Sequence, residues 1–134
     1  MSKILFFNIF VVFSLLYSTV TEASNCEKEN REFNIAIKES FKCGDEKLSK
    51  FYDDKMSPTD LSEFVVYKCN MYVDNLAKKQ YESTICDYSL KKGISIESAK
   101  IENNEVSTVY DFKKEINGIL VRHYKMEIIK ARKE

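Results

Sequence analysis

The sequence predicts a small all-α fold, a disulfide-linked helical bundle of three to four helices. Three observations predict it. Apolar residues recur at steps of three and four over most of the chain, the spacing of one buried helical face. Four cysteines stand far apart in a short chain that opens with an export-type leader. One strong helix-start signal, Ser57-Pro58-Thr59-Asp60, sits near the middle.

The leader is set aside first. Met1 to Lys3 gives a short positive start, and Ile4 to Val20 carries no charge. Thr21-Glu22-Ala23 then places small residues at the −3 and −1 positions of a cut after Ala23. That is the three-part pattern of a secretory signal. The rival reading, a membrane anchor, has a run slightly short of the ~20 residues a span needs, interrupted by Asn8 and several hydroxyl residues. The expected organisation is therefore a signal peptide over 1–23 and a single secreted, extracellular helical domain over 24–134.

Removing 23 of 134 residues leaves 111, one domain's worth of chain with a modest core. Lys3 and Glu22 leave with the leader, so 21 cations and 21 acids become 20 of each. Charges of both signs are interspersed. No basic face suited to nucleic acid and no polybasic membrane patch is visible. No further membrane span is expected after signal cleavage. No Asn-x-Ser/Thr sequon occurs, so no N-linked glycan is expected.

Cys26, Cys43, Cys69 and Cys86 all lie in the secreted part. An even count in a short secreted chain points to disulfides. Zinc is the alternative, but metal cysteines come in close pairs and none here is close. Of three possible connectivities, the spacing favours a nested one. Cys26 with Cys86, and Cys43 with Cys69, are both mirror-symmetric about Met56. A chain folded back there as two antiparallel helices brings each pair together. Each arm spans seventeen residues, about 25 Å of helix. Seventeen residues fall roughly 100° short of whole turns, so a straight arm does not put both of its cysteines on one face. A break at Gly44 is the expected remedy.

Along the first arm, about Asn25 to Lys55, the stripe is Phe33, Ile37, Phe41, Gly44, Leu48 and Phe51. The second helix starts at Ser57, whose oxygen caps a free N–H, with Pro58 at the first helical position. Leu61, Phe64, Val65, Tyr72 and Leu76 carry it to about Gln80. Lys91-Lys92-Gly93 reads as a helix stop. Ile94 to Ile101 reads equally as a short strand or a helical turn, and Asn103-Asn104 as a loop. A last helix runs from about Val106 to Ala131, with Val109, Phe112, Ile116, Leu120, His123 and Met126 on its apolar side.

Catalytic groups are sparse. His123 is the single histidine, and its apolar neighbours predict a buried structural role. No Gly-x-Ser-x-Gly turn, His-Glu-x-x-His pair or phosphate loop occurs, and no calcium loop. Asp53-Asp54, and Glu102 with Glu105, read as solvated charge. No enzyme activity, catalytic residue, cofactor or metal is expected. The aromatic content is more informative: eight Tyr and nine Phe without Trp. Tyr67, Tyr72, Tyr81, Tyr88, Tyr110 and Tyr124 crowd the second half. Tyrosine pairs an apolar body with a polar tip, and suits core margins, interface edges and pocket mouths.

The leader, the helical Lys-, Asn- and Ile-rich sequence and Cys26, Cys43, Cys69 and Cys86 weakly resemble the small cysteine-containing secreted domains that nematodes carry in many copies. The resemblance covers most of the secreted part. It implies secretion and a helical fold, and no active site. Two functions are expected from the sequence as a whole. One is an interaction module or effector that binds an extracellular protein through a tyrosine-bearing helical face. The other is a small carrier of an apolar molecule such as a fatty acid, lined by Phe64, Tyr72, Phe112, Ile116 and Leu120.

Overall fold

The computed structural model describes residues 25–133. The expected signal peptide, 1–23, lies outside them. The described residues form five helices and no strand: α1 Glu27–Phe51, α2 Pro58–Lys68, α3 Asn70–Lys92, α4 Ile96–Asn104 and α5 Val109–Ala131. Helices α2 and α3 are separated by Cys69 alone and form one kinked rod. The bundle therefore has three long rods and one short helix.

Helix α1 is continuous through Gly44, contrary to the break expected there. Its buried positions are small: Ala36, Ser40, Cys43 and Gly44. Ala36, Ser40 and Gly44 follow one another at steps of four, so they share a face and let a neighbouring helix approach closely. The larger Phe33, Ile37, Phe41 and Leu48 pack at the margin of the core.

The mirror about Met56 is the register of the hairpin. Cys26 bonds Cys86 and Cys43 bonds Cys69, with Cα separations of 5.8 and 6.0 Å, inside the range a disulfide requires. Between them, the Ser40 hydroxyl donates to the Tyr72 carbonyl at 3.2 Å, the Lys79 ammonium meets Glu32 at 2.6 Å, and Ser83 donates to Asn30. Every one of these pairs sits within a residue of that mirror.

The phase deficit of each arm is resolved at helix ends. Cys26 is the N-cap of α1, outside the helix proper. Cys69 has φ −104° and ψ 15°, and is at once the C-cap of α2 and the N-cap of α3. One cysteine of each arm is thus released from helical geometry, and no break at Gly44 is needed.

Helix α2 starts as expected: the Ser57 hydroxyl accepts from the Asp60 N–H at 3.0 Å, and Pro58 is the first helical residue. Helix α3 runs on past Gln80 to Lys92. It stops at Gly93 with φ 66°, the left-handed value that glycine takes without cost. The undecided stretch resolves as helix α4, capped by Ser95 and burying only Ala99. Asn103 and Asn104 form its last turn. Helix α5 starts three residues later than Val106, at a capping box between Thr108 and Asp111. This reciprocal bonding satisfies two orphan N–H groups.

Helix α5 closes the core. Its buried residues are Ile116, Leu120, Tyr124 and Ile128, a strict step of four. They meet Ala36, Leu61, Val65, Val66, Val73, Leu76 and Ala77. The apolar side expected at His123 and Met126 is therefore displaced: His123 and Met126 are exposed, and Tyr124 is buried. A row of i, i+4 residues is one of the two ridges through which helices interlock. At the far end, the Arg132 guanidinium donates to the carbonyls of Asp53 and Met56 at 2.9 and 2.7 Å, fastening α5 to the α1–α2 turn.

Candidate functional site

The kink at Cys69 shapes the surface that stands out most. Cys69 points inward and is 2 % exposed. The residues around it turn outward: Tyr67 is 73 % exposed and Met71 84 % exposed, with Tyr72 half-exposed. Three large, partly apolar side chains thus share one corner. The corner is held from below by the Cys43–Cys69 bridge and by the Ser40 to Tyr72 hydrogen bond. A shallow groove of about 300 Å³ runs beside it, lined by Glu39, Lys42, Glu46, Lys47, Lys68 and Tyr72. Lys68 also extends over the Phe64 ring, 5.1 Å from its centroid.

The five residues expected to line an apolar ligand site do not converge on one place. Ile116 and Leu120 are core residues, and Phe112 packs on the core margin. Phe64 meets Phe51 edge-to-face at 5.5 Å. Tyr72 lines the groove at the corner. Two further clefts lie at the other end of the hairpin, around the Cys26–Cys86 bridge. One, of about 380 Å³, includes Lys28, Glu32, Lys79, Glu82 and Ile96. The other, of about 480 Å³, includes Asn25, Ser89, Leu90, Ile94 and Ile96. None of the five expected residues lines either.

The strongest ionic feature is in the first of these clefts. The Lys79 ammonium meets Glu32 at 2.6 Å and Glu82 at 2.8 Å. The two carboxylates hold the ammonium well above the ordinary lysine range, and its hydrogen bond holds the Glu32 carboxyl below its own. Lys79 thus braces α1 against α3. An ammonium so firmly protonated is a poor base.

His123 lies at the surface of α5, with the rings of Phe41 and Tyr124 edge-on to it at 5.0 and 4.9 Å. It is not buried, as its apolar sequence neighbours had implied. Among the described residues, no group of three or more His, Cys, Asp or Glu is arranged to hold a metal. None of the described helices is long and apolar enough to cross a membrane.

Apolar spacing does not single out Met71, and it gives Tyr67 only as one of several tyrosines. The available signal was Cys69 itself. A cysteine that must face its partner at a helix junction turns its neighbours at −2 and +2 outward.

Searches with this chain found no matching protein-family model, no similar curated protein and no similar solved structure.

Proposed function

We propose that this chain is a secreted, non-catalytic interaction module that binds another extracellular protein through the corner bearing Tyr67, Met71 and Tyr72. The observation that carries this reading is exposure combined with rigidity. A contiguous exposed patch of large apolar side chains often marks an interaction surface. Tyrosine and methionine are enriched where proteins bind. A disulfide beneath the corner limits the conformational entropy lost when a partner docks. The two disulfide bridges fit an oxidising compartment, as does the export-type leader. The resemblance to small secreted cysteine-containing domains agrees with both.

The test compares the immobilised wild-type chain with a Tyr67→Ala, Met71→Ser variant against the extracellular fluid of the source tissue. The reading expects a protein retained by the wild type and lost by the variant, with circular dichroism unchanged. Retention of the same proteins by both would contradict it.

A further inference from the structure

Helix α5 joins two faces of opposite charge. Its entry, residues 96–111, has four acids (Glu97, Glu102, Glu105, Asp111) against Lys100, a net of −3. Its last half and the turn that follows, 119–133, have five cations (Arg122, Lys125, Lys130, Arg132, Lys133) against Glu127, a net of +4. Part of this charge is used locally. Lys100 pairs with Glu97, and Lys130 with Glu127. Asp111 caps α5, Glu102 accepts from Tyr88, and Arg132 holds the α1–α2 turn. Glu105 and Lys114 beside the entry, and Glu115, Arg122, Lys125 and Lys133 further along, are in no ion pair among the described residues.

Both faces also expose apolar side chains. At the acidic one, Ile101 is 70 %, Val106 84 % and Tyr110 73 % exposed. At the basic one, Ile119 and Met126 are about half exposed. Ile119, Arg122, Met126 and Lys130 follow at steps of three and four along α5, so they form a single outward stripe. Tyr110 and Met126 are sixteen residues apart on one helix, about 24 Å. The two faces therefore cannot meet within one molecule. Between two copies the net charges of the two faces attract, and cations and acids balance over the chain, so a net charge near zero favours association.

We propose that the chain self-associates, the acidic apolar face of one copy (Ile101, Glu105, Val106, Tyr110) docking on the basic apolar stripe of another (Ile119, Arg122, Met126). The contact joins two different patches, so it is heterologous in kind. It is separate from the Tyr67 corner and does not depend on the partner proposed there.

Sedimentation equilibrium of the disulfide-bonded chain tests it, from about 10 μM to about 1 mM. Self-association is expected in that range, weakening roughly tenfold between about 0.05 and 0.5 M salt as the charges are screened. A Glu105→Lys, Val106→Ser variant loses the acidic face. An Arg122→Glu, Met126→Ser variant loses the basic one. Glu105, Val106, Arg122 and Met126 are all exposed, so both variants fold, which circular dichroism checks. Each variant alone is expected to be monomeric, and an equimolar mixture is expected to form a 1:1 complex, because each retains the face the other lacks. A wild-type chain that stays monomeric throughout would overturn the proposal. So would either variant associating like the wild type, or a mixture that stays monomeric while the wild type associates.

Discussion

Gly44 lies directly beneath the ring of Tyr124: a Cβ at position 44 would overlap the phenol's Oη, Cζ and Cε2 atoms. The ring is buried at 1 % exposure, and its hydroxyl donates to the Phe41 carbonyl at 2.9 Å. The glycine that reads as a helix break is the seat of a core tyrosine from eighty residues further along.

Gly44→Ala is therefore expected to destabilise the protein. Alanine gains about 1 kcal/mol in a helix interior, but overpacking a fixed ring costs about 1–3 kcal/mol, and the overlap here involves three ring atoms. A net loss of about 1–2 kcal/mol, or roughly 4–8 °C in Tm per kcal/mol for a domain of this size, follows. In a Tyr124→Leu background the same substitution should be neutral or stabilising. Thermal unfolding of the four proteins checks the coupling. Equal cost in both backgrounds would remove Tyr124 as the cause.

The same tyrosine sets an alkaline limit. Burial, then the charge of Asp45 with its carboxylate 3.3 Å away, holds the phenol's pKa well above the ordinary value of 10. The unfolded phenol still ionises near pH 10. The stabilisation is thus complete below that pH and is lost as pH rises above it. Lys79, raised by Glu32 and Glu82, acts with the same sign. Tyr124→Phe should reduce, without abolishing, the loss of stability between about pH 9 and pH 11. Urea midpoints at the two pH values measure it. An unchanged slope would exclude Tyr124 as a contributor.

The nested bridges share their work. Alone, Cys26–Cys86 closes a separation of 60 residues and Cys43–Cys69 one of 26. With the inner bridge formed, the outer loop shortens to about 34 residues, the difference of the two. Loop-closure entropy then predicts nearly equal losses, about 3.5 kcal/mol for removing either bridge while the other remains. Chemical denaturation of the Cys26→Ala, Cys86→Ala and Cys43→Ala, Cys69→Ala variants tests this. A twofold difference between them would show that packing at one bridge outweighs chain entropy.

Tyr67→Ala and Met71→Ser should change stability by no more than about 0.5 kcal/mol each, as exposed positions do. A larger effect in thermal unfolding would mean that the corner contributes to the fold, and would weaken its reading as a docking surface.

Much of this architecture was legible in the chain. The mirrored cysteines predicted the nested pairing, because a disulfide constrains position more tightly than propensity does. Ser57-Pro58 located the start of α2, since capping is local chemistry. What the sequence left hidden depends on tertiary contact. Gly44 reads as a helix breaker until Tyr124 is seen above it. The choice between His123 and Tyr124 for the interior of α5 is a rotation of about 100° per residue, too fine for apolar spacing to decide. The exposed corner at Met71 lies at the kink at Cys69, where the Cys43–Cys69 bridge sits beneath it. The expected ligand residues are apolar and helical, properties that core residues such as Ile116 and Leu120 share.

The most direct test of the central claim is the intact mass and non-reducing peptide map of the chain recovered from the medium of a secreting host. The account predicts a product beginning at Ser24, lighter than the fully reduced polypeptide by four hydrogens, with Cys26 linked to Cys86 and Cys43 to Cys69. A chain retained in the cell with residues 1–23 attached, or one carrying four free thiols, would contradict it.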